Sequence, residues 1–221
     1  MPRLPPGVQI GATPFEDLEI DFTDVQPSRG FRYLLVIVCT YSGWVKAFPT
    51  RTEWSQEVAR VLLKETVPRF GLPATIHSDN SPAFMVDIIQ TLTNYLNITW
   101  TAYWPQSSGK VEQMNRTLNG TLAKFCQETD LSWPDLLPLD LLCVRCTPET
   151  QGFSPFELIY GRPLPCLKSL PGDLHQLGDK GIREQLQALE ATLNELQRYT
   201  TDRAPISLGS PVCPFSPGDS V

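Results

Sequence analysis

From Tyr33 to Cys39 the chain reads Tyr-Leu-Leu-Val-Ile-Val-Cys, an unbroken apolar run. A run of that length suits a strand in the middle of a sheet, covered on both faces. Before it, Leu18-Glu19-Ile20-Asp21-Phe22-Thr23 alternates as a half-buried strand does; after it, Trp44 to Phe48 follows the turn residues Ser42-Gly43. The opening therefore reads as a meander of three strands. Val58, Val61 and Leu62 then recur at helical spacing until Pro68 and Gly71 stop the pattern. Ala74 to His77 is a short strand, Pro82 to Tyr95 has helical periodicity, and Asn97 to Tyr103 reads as a fifth strand. A polar loop, Pro105-Gln106-Ser107-Ser108-Gly109, leads into a helix from Lys110 to about Glu128, and two more helical stretches span Trp133 to Cys146 and Pro155 to Tyr160. This pattern predicts an α/β fold, a five-stranded mixed sheet flanked by helices.

The texture changes beyond Pro163. Ile182, Leu186, Leu189, Leu193 and Leu196 repeat at a/d spacing between charged residues, which predicts one amphipathic C-terminal linker helix. It spans too few heptads for a secure coil, so it is expected to lie on its own domain. The expected divisions are a Pro-rich lead-in over 1–14, a core over 15–165, a linker with its helix over 166–210, and the start of a further domain over 211–221.

With 221 residues, 41% of them hydrophobic, the chain can bury one good core. A formal charge of -6 excludes holding nucleic acid by overall positive charge, so any such contact must be local. Six cysteines and two histidines fall in no disulfide-rich or zinc-ribbon pattern; Cys143 and Cys146 alone have metal-like spacing. Met1 to Gly7 has no apolar run and no stretch approaches membrane-spanning length. These features lead us to expect a soluble intracellular protein, nuclear or cytoplasmic, with no membrane partner.

Three acids stand out by position. Asp21 lies inside an apolar strand pattern, where a carboxylate is costly unless compensated. Asp79 falls just past the end of another strand. Glu112 occupies the first turn of the long helix, where the helix dipole alone would favour an acid. Singly, each is more often a solvated surface group than a site.

Taken in order, several segments resemble one family. They are Glu19-Ile20-Asp21-Phe22-Thr23, Tyr33-Leu34-Leu35-Val36, Ser42-Gly43-Trp44, Pro68-Arg69-Phe70-Gly71-Leu72-Pro73, Ser78-Asp79-Asn80-Ser81-Pro82-Ala83-Phe84, Pro105 to Thr117, and Ser154-Pro155-Phe156-Glu157-Leu158. Together they resemble the integrase catalytic core of gammaretrovirus-type and endogenous retroviral polyproteins. The resemblance implies a ribonuclease-H-like fold, a homodimer through the core, and DNA as partner; host proteins are left unspecified. It also implies a catalytic, metal-binding triad at Asp21, Asp79 and Glu112, holding two Mg²⁺ or Mn²⁺ ions for DNA 3′-end processing and strand transfer. Such ions prefer hard oxygen ligands. Two of them about 3.5–4 Å apart can activate one oxygen and stabilise another in an in-line displacement. DNA contacts are expected from Gln106, Ser107 and Ser108 in the loop, and from Lys110, Asn115, Arg116 and Lys124 on the helix. Trp104 is expected to pack on the core.

The chain departs from the family pattern in places. Between Asp79 and Glu112 stand 32 residues, three fewer than the resemblance implies. Three residues correspond to about 10 Å of extended chain, so either the loop absorbs the deficit or Glu112 falls short of the aspartates. Ser81, Trp104, Asn119 and Gly120 replace the family's usual Gly, Arg, Lys and Glu. Asn119 is thereby expected to remove a phosphate contact, and Gly120 to cost about 1 kcal/mol in a helix interior. The family's N-terminal zinc domain and C-terminal barrel are not found in the sequence. Two other readings stay open: a catalytically inactive module derived from an endogenous retrovirus that binds nucleic acid or protein, and a ribonuclease-H-like nuclease acting on RNA–DNA hybrids.

Overall fold

The computed structural model describes residues 12–85, 87–102, 109–129, 131–148, 152–165 and 180–201. Its centre is a five-stranded mixed sheet built from β1 (Asp17–Ser28), β2 (Phe31–Cys39), β3 (Val45–Thr50), β4 (Thr75–Ser78) and β5 (Thr99–Ala102), in the order β3-β2-β1-β4-β5. The first three strands are antiparallel neighbours, whereas β4 runs parallel to β1 and β5 parallel to β4. Arg29 and Gly30, both at positive φ (50° and 82°), make the tight turn between β1 and β2. That pair of left-handed residues matches the twist of a two-residue hairpin.

The apolar run expected to be central is so. In β2, Leu35, Ile37 and Cys39 enter one core cluster, and Leu34, Val36 and Val38 enter another on the opposite face. The first cluster is closed by α1 (Ser55–Val61), α3 (Asp87–Leu96) and α6 (Pro155–Tyr160), through Val58, Val61, Ile89, Phe156 and Ile159. The second is closed by α4 (Gly109–Glu128) and α5 (Trp133–Cys146), through Val111, Leu118, Leu122, Leu136 and Leu141. The last helix, α7 (Lys180–Thr201), packs on α5 and adds Ala188 to this cluster, with Thr192 buried. The linker helix thus packs against α5.

Local differences from the sequence reading have physical causes. Pro68 does not stop the first helical stretch: a π-helical turn over Leu62–Thr66 widens the backbone before it, and the proline sits in the first turn of α2 (Val67–Phe70). A proline lacks the N–H that a first helical residue has no use for, so it starts a helix more readily than it continues one. Gly71, at φ 85°, then ends the stretch. On the same side of the sheet, α3 begins later than expected. Pro82 to Phe84 are in turns, with the Ser81 hydroxyl accepting from the Ala83 N–H at 3.3 Å and Phe84 buried in the first cluster.

Candidate active site

The sheet register sets two of the three acids side by side. β1 and β4 are parallel with Glu19 opposite His77, so two residues later Asp21, within β1, stands beside Asp79, just past the end of β4. Glu112 comes from elsewhere, in the first turn of α4. All three line one cavity of about 90 Å³, together with Glu19, His77, Ser78 and Val111. Asp79 and Glu112 are exposed, while Asp21 is half-buried.

Burial pushes the Asp21 carboxyl up to about 6, helped by the negative charges of Asp79 and, more weakly, Glu112; hydrogen bonds from the Phe22 N–H and the Asn115 amide oppose the shift. Glu19 is raised to about 7, chiefly by burial, against the pull of the Val111 N–H and the Lys110 ammonium. Repelling carboxylates around one opening are an arrangement that a divalent cation would relieve. Among the described residues no three His, Cys, Asp or Glu side chains stand close enough together to hold one ion. The fit rests on the donor set: hard oxygen donors from three elements facing one opening, two of them on exposed side chains.

Both aspartates have a partner that orients them. Asp79 Oδ1 accepts from the backbone N–H of Ser81 (3.0 Å), closing a turn that a glycine there would close equally well and that orients the aspartate. Ser78 Oγ accepts from Trp100 Nε1 at 2.9 Å and donates to the Asp79 carbonyl at 3.0 Å, tying β5 to that turn. Asp21 Oδ2 accepts from Asn115 Nδ2 at 2.8 Å. Two residues either side on β1, Glu19 Oε2 accepts from the Val111 N–H (2.9 Å) and Thr23 Oγ1 accepts from Asn119 Nδ2 (3.0 Å). Positions 19, 21 and 23 therefore meet 111, 115 and 119 in a polar seam. Two strand residues advance about 6.6–6.8 Å and four helix residues about 6.0 Å, so the two periods stay nearly in step over this length.

The residues singled out for DNA contact divide accordingly. Arg116 is exposed, one helical turn beyond Glu112. Lys124 is exposed too, but about 18 Å along α4 from Glu112, with Glu128 3.9 Å away. Asn115 is buried, its amide given to Asp21. Lys110 is half-buried, its ammonium donating to the Thr40 carbonyl at 2.6 Å. Gln106, Ser107, Ser108 and Trp104 lie outside the described residues. Gly120 is exposed, with open space where a Cβ would stand. Sequence reasoning missed Glu19, Thr23 and Thr40. The alternation that made Asp21 conspicuous applies equally to Glu19, and it was the one available signal.

Residues 12–108 match the family model described as "Integrase core domain". The Gag-Pol polyprotein of avian reticuloendotheliosis virus is 44% identical over 220 residues, covering 96% of this chain and 19% of the polyprotein. Among solved structures, a chain of the simian T-cell lymphotropic virus intasome in complex with PP2A regulatory subunit B56 gamma is similar at a TM-score of 0.64 and 26% identity, over 75% of this chain and 62% of that one. The HTLV-2 integrase catalytic core domain in complex with magnesium matches at 0.58 and 22%, over 67% of this chain and 98% of that one. The fold is that of a retroviral integrase catalytic core, ribonuclease-H-like. The chain belongs to the integrase core family, with gammaretroviral Pol relatives, and spans about a fifth of the length of the avian polyprotein. Among the described residues no helix is long and apolar enough to cross a membrane.

Proposed function

We propose that this chain is the core of a metal-dependent polynucleotidyl transferase that trims DNA 3′ ends and joins them to a second DNA. The observation that carries the reading is the meeting of Asp21, Asp79 and Glu112 at one cavity, with the Asp21 carboxyl raised chiefly by burial and further by the charges of its two neighbours. Asp21, Asp79 and Glu112 would hold one or two divalent ions, Mg²⁺ or Mn²⁺, which when bound supply activation of the attacking oxygen and stabilisation of the leaving oxygen at a phosphodiester.

The chain's own groups do the rest. Asn115 fixes which Asp21 oxygen faces the cavity, and the Ser81 N–H does the same for Asp79. Arg116, exposed one turn beyond Glu112, is suited to a DNA phosphate. With water as nucleophile the outcome is end trimming; with a DNA 3′-hydroxyl it is strand joining. Gln106, Ser107 and Ser108 would contact the DNA end, and a second copy would pair with the core, as one form of the HTLV-2 core is described as dimeric.

The test uses the purified chain with short DNA duplexes and Mn²⁺ or Mg²⁺. Metal-dependent nicking or joining that disappears in Asp21→Asn supports the reading. DNA binding without turnover, in either metal, would leave only the inactive module, whereas selective cleavage of RNA–DNA hybrids would point to a hybrid nuclease.

A further inference from the structure

We propose that Glu19 is a positioning residue that sets Glu112 against Asp21, by anchoring the first turn of α4 to β1. This rests on the function proposed above, and it assigns a role to a buried acid that the metal chemistry does not use.

Glu19 is 2% exposed on a central strand, a costly place for a carboxylate. A helix leaves its first four N–H groups without intrahelical partners. In α4 one of these belongs to Val111, and Glu19 Oε2 takes it at 2.9 Å. Val111 immediately precedes Glu112, so the bond is made one residue from the acid it positions. The neighbour on the other side is held as well, because the Lys110 ammonium donates to the carbonyl of Thr40, just beyond the end of β2. The start of α4 is thus pinned to two adjacent strands, whatever path the chain takes between β5 and the helix. Given the shortened spacing between Asp79 and Glu112, such an anchor is what keeps the third acid in register. A merely structural role does not call for a carboxylate here: an apolar side chain of similar volume fills a core position as well or better.

The experiment compares the full chain with Glu19→Ala and Glu19→Gln, the latter keeping an oxygen for the Val111 N–H. Three readouts are taken: backbone amide exchange without metal, thermal stabilisation by titrated Mn²⁺, and strand joining resolved into kcat and KM. Partners that orient metal ligands typically contribute about 10–100-fold to metal affinity or activity. Glu19→Ala is expected to speed exchange at Val111 and Glu112 about tenfold or more while leaving Leu122 unchanged. It should also raise the Mn²⁺ midpoint and lower kcat by about 10–100-fold, with KM for DNA within about twofold. Glu19→Gln should recover most of each effect. Equal Mn²⁺ midpoints and kcat in wild type and Glu19→Ala, or unchanged exchange at Val111, would overturn the proposal. A wild-type chain that neither responds to Mn²⁺ nor joins DNA removes the transferase reading instead. In that case amide exchange alone decides whether Glu19 holds the helix, and unchanged protection rejects it.

Discussion

The two faces of β1 are both covered by helices and are built from opposite materials. Leu18 and Ile20 point into an apolar cluster with α1 and α3, and Phe22 packs at its edge. Glu19, Asp21 and Thr23 point at α4 and meet it through hydrogen bonds. A strand covered on both sides does best with apolar residues on both, as β2 shows with Leu34 to Cys39. The polar face of β1 is therefore a departure from the cheapest core, and it sits where a cavity opens between β1, β4 and α4. A buried polar group costs free energy unless its partners are in place, so this face is organised for the site and the other for stability.

Substitution on the polar face should remove chemistry and spare the fold. Asp21→Asn is expected to lower metal-dependent joining by more than about 1000-fold, since several kcal/mol of transition-state stabilisation would be lost. Its melting temperature without metal should be no lower than that of the wild type, because a desolvated acid has been made neutral. A single-turnover assay beside a thermal melt decides this, and a large fall in stability would erase the distinction between the faces. Substitution on the apolar face should do the reverse. Ile20 is fully buried, so Ile20→Ala is expected to cost about 2–5 kcal/mol in denaturant unfolding. The Mn²⁺ dependence of the protein that remains folded should not move.

How far this contrast was legible beforehand depends on how local its causes are. The run Tyr33 to Cys39 and the alternation from Leu18 to Thr23 carry their burial pattern within a few residues, and five strands and the long helices followed from such patterns. Asp21 was conspicuous as an acid in a strand. Glu19 was not, because a polar residue alternating with Leu18 and Ile20 looks like a solvated position until a helix some 90 residues later covers it. Asn119 was expected to mark a lost phosphate contact, yet its amide reaches Thr23, a partner set by tertiary packing. The π-helical turn before Pro68 was equally out of reach, since Val58, Val61 and Leu62 satisfy an ordinary helical period.

A second acid buried against α4, away from the cavity, sharpens the comparison. Asp140 is fully buried; one oxygen accepts from the Thr121 hydroxyl and the other has no partner among the described residues. Burial raises its carboxyl from the ordinary 3.8 to about 7, the Thr121 bond opposing. Between those values the folded state holds a proton that the unfolded chain has released, so stability falls as pH rises through this window. It is unaffected below about pH 4 and fully reduced above about pH 7. A loss on the order of 4 kcal/mol between pH 4 and 8 is expected from this group. Asp140→Asn should flatten the dependence in denaturant melts at several pH values. An unchanged slope would mean that the side chain is already solvated, and that α4 does not impose the same penalty at both places.

The smallest effect tests how far the seam extends. Thr23→Val keeps the shape of the side chain and removes the hydroxyl that accepts from Asn119, whose other contact, the Asp24 carbonyl, is 3.5 Å away. A single neutral hydrogen bond contributes about 0.5–1.5 kcal/mol, so each of Thr23→Val and Asn119→Ala should cost about that much. The double variant should cost less than their sum. The Mn²⁺ dependence should shift only slightly in either, because Thr23 and Asn119 lie beyond Asp21 from the first turn of α4. Strand and helix periods drift apart by roughly 1.5 Å over the two steps from Glu19 to Thr23, so any slack should collect at this far end. Full additivity in the cycle would place the end of the seam at Asp21 and Asn115, leaving the first turn as the part that sets the register.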